Sequence, residues 1–305
     1  MNWKLMTAAL VLGFGGLASA VPVEVASLST VLTDVAQNVG GDRVRVTPIV
    51  KAGIDPHVFE PTPGDVKKIS NARLVLVSGL GFEGYLQKLQ SSVGSGPRFL
   101  IAGDVVKPLM AEETCEGHDH DHHHHHAHSA DGKVADPHWW HSVKNVEAVT
   151  RQIRDALIAL DPEGRSTYEA NAKAFEARLK ELARDVRLEV ARLPKSSRVL
   201  VTSHDALGYF AKDHGFEVLP VQGISTSDQP SSQKVRDLIQ TIRERGVKAI
   251  FAENIENPRV LEQITKETGA KLGGVLYADG LGTGETGTYE GMMRHNAGTI
   301  VAGLQ

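Results

Sequence analysis

Histidine is the residue type best able to do chemistry in this chain, and its fourteen copies fall into two patterns. Eight of them, His118, His120, His122, His123, His124, His125, His126 and His128, crowd into eleven positions, with Asp119 and Asp121 between them. A tract so polar buries almost nothing. The composition therefore predicts a mobile loop over 112–131 that binds several divalent ions loosely, through changing ligand sets. An expression tag would sit at a terminus and would lack the interspersed acids. The other six histidines are scattered. His57 stands in Asp55-Pro56-His57-Val58-Phe59-Glu60-Pro61-Thr62-Pro63, and His138 in Asp136-Pro137-His138-Trp139-Trp140-His141. His204 follows the apolar run 199–201 in Thr202-Ser203-His204-Asp205-Ala206, and Asp279 follows the run 275–277 in Tyr277-Ala278-Asp279-Gly280. His214, in Lys212-Asp213-His214-Gly215, reads as a helix C-terminus, where a cation suits the dipole. His295 belongs to the last helical stretch and reads as structural.

The elements that must position these residues alternate along the chain. Short β-branched runs at 23–28, 44–50, 74–77 and 98–101 read as strands, and a second set follows at 198–202, 217–221, 248–252 and 271–277. Amphipathic stretches such as 31–39, 66–71, 206–214, 235–245 and 260–269 lie between them. Strands alternating with helices predict an α/β fold of two lobes, each with a mainly parallel four-stranded sheet covered on both faces. From 161 to 193 the apolar positions Tyr168, Phe175, Leu179, Leu182, Val186, Val190 and Leu193 recur at steps of three, four or seven. That spacing predicts one continuous helix of roughly 45 Å joining the lobes, starting from an Asp161-Pro162 cap and ending at Pro194. The domain reading is 21–160 for the N-terminal lobe, 161–193 for the linking helix and 194–305 for the C-terminal lobe.

His57, His138, His204 and Asp279 all fall beyond strand ends or in proline-fixed turns. Ligand sites in open α/β sheets gather in the crevice at the carboxyl ends of the strands. Two candidates come from each lobe, so the four can meet only in the interlobe cleft. Three imidazoles and a carboxylate make a tetrahedral zinc shell, although donor type alone leaves manganese and iron open. Any one of these histidines could instead be an ordinary satisfied polar group; two Asp-Pro-His repeats flanking the histidine tract are harder to dismiss.

Residues 1–20 have an early Lys4, an apolar stretch and the ending Ala18-Ser19-Ala20, the pattern of a cleaved signal peptide. With no cysteine at that point, the expectation is a soluble periplasmic protein that is not a lipoprotein. The only cysteine, Cys115, can form no intramolecular disulfide. A net charge of −4 argues against a nucleic-acid partner.

Taken together, the motifs around His57, His138, His204 and Asp279 resemble the metal-binding receptors of ABC transporters, cluster A-I, and among them the ZnuA-like zinc-uptake group. Tyr168-Glu169-Ala170-Asn171-Ala172, Tyr209-Phe210, Gly280-Leu281-Gly282 and Tyr289 with Met292-Met293-Arg294-His295-Asn296 belong to the same resemblance, which spans essentially the whole mature chain. It implies that His57 and His138 are N-lobe ligands and that His204 and Asp279 are C-lobe ligands. It further implies a non-enzymatic, monomeric receptor that carries Zn2+, with Mn2+ still open, to the membrane permease of an ABC importer. In that family a histidine at the third ligand position goes mostly with zinc, and a histidine-rich loop marks the zinc branch. The sequence departs from the pattern at Trp139-Trp140-His141-Ser142, which adds an imidazole near the site. His141 is therefore an auxiliary candidate, and Glu60 is a candidate for orienting His57. Two rival readings are a secreted zinc hydrolase and a periplasmic zinc buffer. The first lacks a His-Glu-x-x-His motif and a clear general base; in the second the histidine tract would be the functional part.

Overall fold

The computed structural model describes residues 21–112, 133–228, 230–255 and 259–305. The histidine tract and the leader both lie outside the described residues. The N-terminal part runs β1 (Val23–Ser27), α1 (Thr30–Gly40), β2 (Val44–Pro48), α2 (Pro63–Ser70), β3 (Leu74–Val77), α3 (Leu86–Val93) and β4 (Arg98–Ile101). A two-stranded antiparallel ribbon follows, β5 (Met110–Glu112) with β6 (Lys133–Ala135), and then α4 (Val143–Leu160). The long helix α5 (Arg165–Val190) leads to β7 (Val199–Thr202), α6 (Gly208–His214), β8 (Glu217–Pro220), α7 (Ser232–Arg245), β9 (Ala249–Glu253), α8 (Arg259–Thr268), β10 (Lys271–Leu276) and α9 (Tyr289–Leu304).

Both four-stranded sheets are wholly parallel, ordered β2-β1-β3-β4 and β8-β7-β9-β10. The second order repeats the first, strand for strand. In each sheet the chain starts at an inner strand, steps outward once, then returns to the other side. Crevices of open sheets form at such reversals. The central strands are buried on both faces: every residue of β3, β7 and β9 is buried. That is why they read as unbroken apolar runs instead of alternating ones.

One hydrophobic core runs through both lobes. Val31 and Leu76 from the first, Phe175 and Leu182 from α5, and Leu200, Phe251 and Tyr289 from the second belong to a single cluster. Two smaller clusters fill the outer layers, one around Val75 and Leu89, the other around Ile239 and Ile250. Helix α5 packs against α1, α4 and α9, so it is a shared wall as much as a connector. Its buried face is Tyr168, Ala172, Phe175, Leu179, Leu182, Val186 and Val190.

The start of this helix differs from the sequence expectation. Residues 162–164 form a separate 3-10 turn and the α-helix begins at Arg165; its 26 residues span about 39 Å. The Asp161 carboxylate is engaged mainly by side chains. It accepts from Arg43 Nε (2.8 Å) and Nη2 (2.9 Å) and from the Tyr168 hydroxyl (2.7 Å), which ties the helix start to the turn before β2. Among the described residues no helix is long and apolar enough to cross a membrane.

Candidate metal centre

His57 and His138 are held by the same local device. In each Asp-Pro-His turn the aspartate Oδ1 accepts the histidine backbone N–H two residues on, at 2.9 Å in both. Proline between them fixes the turn. At 136–138 the same oxygen also lies 2.9 Å from His138 Nδ1. That contact keeps the hydrogen on Nδ1 and leaves Nε2 to face the cleft. The loop bearing His57 ends at a firm stop, because Thr62 and Asp65 form a capping box at the start of α2 with Pro63 at its first position.

His204 leaves the end of β7 and Asp279 the end of β10, the strand-end positions at which a crevice opens. His204 donates its backbone N–H to Glu253 Oε1 (3.1 Å), and its Nδ1 lies 2.5 Å from Glu253 Oε2. Glu253 is the last residue of β9. Asp279 is set from the opposite lobe. The carbonyl just before it, Ala278 O, accepts from Trp140 Nε1 and His141 Nε2, both at 2.8 Å. Thr30 Oγ1 accepts the Leu281 N–H (2.8 Å), and Tyr289 returns its hydroxyl to Trp140 O (2.8 Å).

These four side chains converge. One ligand atom from each of His57, His138, His204 and Asp279 lies within 4.8 Å of all the others. Asp279 Oδ1 is 3.6 Å from His57 Nε2, 3.1 Å from His138 Nε2 and 3.2 Å from His204 Nε2, and the Nε2 atoms of His57 and His138 are 3.3 Å apart. The edge of a tetrahedron whose centre is about 2.0–2.1 Å from each donor is about 3.3 Å. His138 and His204 are fully buried and Asp279 nearly so. Both Asp279 oxygens and His204 Nε2 are buried without a hydrogen-bond partner, as expected of groups whose partner is a cation.

The electrostatics agree. Burial raises the Asp279 carboxyl, but His204 and His57 outweigh it and hold the group well below the usual carboxylate range. Burial disfavours the His138 imidazolium, yet Asp136 and Asp279 together bring it up to about 9. His204 likewise rises well above its ordinary value, its burial outweighed by Asp279 and Glu253. The walls are aromatic: the Phe82 ring stands edge-on to His57 (4.9 Å) and Trp140 (4.9 Å). Phe82 comes from a tight turn after β3 in which Leu80 takes a positive φ of 56°. Glu83 closes that turn by accepting the Ser78 and Gly79 N–H groups (2.7 and 3.0 Å), and burial brings its carboxyl up to about 7.

The remaining candidates stand outside those four converging groups. Burial pushes His141 down to about 3, so it is a neutral donor to Ala278 O, outside the four converging groups. Glu60 is exposed on the wall of a 320 Å³ cavity that His57, Phe59, Tyr85 and Lys88 also line, and it makes no hydrogen bond to His57. His214 ends α6 beside Phe210, and His295 contacts Val275 O (2.9 Å). The eight histidines of 118–128 fall outside the described residues. Glu253, Asp136 in its grip on His138, Phe82 and Ala278 are site residues that the sequence reading did not single out. Glu253 had a usable signal, a carboxylate at the carboxyl end of a buried strand.

Residues 25–303 match the family described as zinc-uptake complex component A, periplasmic. The manganese-binding lipoprotein MntA of Bacillus subtilis is 31% identical over 290 residues, covering 93% of this chain and 90% of the relative. The iron-binding protein YfeA of Yersinia pestis is 33% identical over 284 residues, covering 92% and 86%. The solved structure of the periplasmic zinc-binding protein TroA from Treponema pallidum superposes with a TM-score of 0.83 at 29% identity, over 93% of this chain and 99% of that one. These relatives correct one expectation. MntA and several others are named lipoproteins, so the reading of a periplasmic protein without a lipid anchor does not stand. That reading rested on residues 1–20 and on a cysteine missing there, and neither is constrained by how the lobes fold.

Proposed function

From the premise that this chain belongs to that family of metal-binding receptors of ABC transporters, which are not enzymes, we propose that its cargo is zinc. Members work with a membrane permease, and the partner of this chain is taken to be one of that kind. His57, His138, His204 and Asp279 are the proposed ligands. The observation that carries the reading is the convergence of three imidazoles and one carboxylate, whose donors all lie within 4.8 Å of one another, with Asp279–His57, Asp279–His138, Asp279–His204 and His57–His138 at 3.1 to 3.6 Å. A four-donor nitrogen-rich shell of that size suits Zn2+, whereas Mn2+ favours more oxygen donors.

Capture in this reading involves no bond chemistry beyond coordination. His138, His204 and Asp279 are buried and held by Asp136, Glu253 and the Ala278 clamp, so they form a rigid socket. His57 sits on the loop between β2 and α2, whose residues 51–54 and 58 are exposed, and it completes the shell. The relatives named for manganese and iron favour a second reading, the same receptor role with one of those metals as cargo. Competition titrations separate the two. His57→Ala and His204→Ala are each expected to weaken zinc binding by more than about a hundredfold, with wild type preferring zinc to manganese. Tight zinc binding that survives His204→Ala, or a wild-type preference for manganese, would overturn the proposal.

A further inference from the structure

Two of the three imidazoles facing Asp279 have their other ring nitrogen against a carboxylate, but the two carboxylates are not alike. Asp136 holds His138 within a single three-residue turn. Glu253 reaches His204 from a neighbouring strand, 49 residues on, and engages it twice: Oε1 takes the backbone N–H, and Oε2 lies against Nδ1.

Glu253 is 3% exposed and its side chain is fully buried. Apart from its 2.5 Å contact with His204 Nδ1, Oε2 has no partner among the described residues, and no lysine or arginine pairs with the carboxylate there. Burying a carboxylate costs free energy unless the group is paired or hydrogen-bonded. The group set against the carboxylate is the His204 ring, whose far nitrogen faces Asp279. A neutral glutamine would serve equally well to accept the backbone N–H, so the packing alone does not call for the charge.

We propose that Glu253 is a positioning residue that tilts the site towards zinc by acting through His204. The inference rests on the reading that His204 is a metal ligand. The two-point grip fixes the ring so that Nε2 points at the cation. The adjacent negative charge also makes that nitrogen a stronger donor. A more basic imidazole favours an ion that bonds strongly to nitrogen over a harder ion that prefers oxygen. Glu253 would then be a determinant of metal choice that never touches the metal.

The test is Glu253→Gln in the full chain, with zinc and manganese affinities measured separately by chelator competition and the visible spectrum of the cobalt-substituted protein as a structural readout. Zinc binding is expected to weaken about 10–100-fold. Manganese should weaken less, so the zinc-to-manganese ratio falls, and the cobalt bands should shift. Equal losses for both metals, or no loss, would overturn the proposal. If the glutamine variant does not fold, Glu253→Asp keeps the charge one methylene further away. It is expected to move the ratio the same way by a smaller factor, and an unchanged ratio would again overturn it. His204→Ala, measured alongside, separates the two levels. If it leaves zinc binding intact, the ligand assignment itself fails. If it weakens zinc while Glu253→Gln behaves as wild type, only the role of Glu253 fails.

Discussion

An imidazole raised to about 9 is protonated at neutral pH, so His138 in the metal-free protein carries a proton that an incoming cation must displace. The sign follows from linkage. Metal competes with the proton, so affinity rises with pH and levels off only above about 9, well beyond the 6.5 of a free imidazole. Zinc titrations between pH 6 and 9.5 should show that rise, and calorimetry in buffers of different ionisation heat should show proton release at pH 7. The same shift acts on folding. A group whose pKa is higher in the folded than in the unfolded chain contributes stability that is complete below the unfolded value and lost as pH rises through the folded one. The metal-free protein is therefore expected to lose melting temperature from pH 6.5 to 9, a loss that bound zinc abolishes. A flat metal-free profile would show that Asp136 and Asp279 do not hold the proton on His138.

Helix α5 is where an element's contribution is easiest to isolate. Phe175 is fully buried in the core shared by both lobes. Phe175→Ala is expected to cost about 3–5 kcal/mol of unfolding free energy by denaturant titration, through lost transfer and a residual cavity. Zinc affinity measured where the variant remains folded should change by less than about threefold. The strands were legible before any coordinates because a doubly covered parallel strand appears as an unbroken apolar run, as in Leu74-Val75-Leu76-Val77. Elements outside that alternation were not. Helix α4 breaks the strand–helix rhythm, and the ribbon of β5 and β6 has strands of three residues each, too short for any periodicity to show. The four converging side chains could be named from strand ends and turns. Which group orients which could not, even for Glu253 with its place at a strand end, since the Glu253–His204 and Ala278–His141 contacts join distant segments whose register only the folded sheets supply.

At the scale of the whole molecule, three of the four converging side chains are buried and His57 stands on a loop, which is where exchange of cargo would be controlled under the proposed function. Loop 51–62 reaches across the cleft through a side-chain hydrogen bond from Thr226 Oγ1 to Asp55 Oδ2 at 2.8 Å. Asp55 also holds the His57 backbone. Thr226→Ala removes a bond worth about 0.5–1.5 kcal/mol. Zinc dissociation, followed by stopped flow against a chelator, should accelerate roughly two- to tenfold with little change in melting temperature. An unchanged dissociation rate would place the barrier elsewhere, in motion of the lobes themselves.

The clamp on Ala278 also bears on how such proteins can be recombined. By chain order Asp279 belongs with His204, but its position is dictated by Trp140, His141 and Thr30 from the other lobe. A hybrid that joined the first 193 residues of this chain to the second half of a relative would keep a carboxylate at that point without keeping its placement. The two lobes repeat the same strand order and look like interchangeable parts, but the donor set is inherited across their boundary. A graft that ignored the clamp would transplant a fold and leave its cargo selectivity behind.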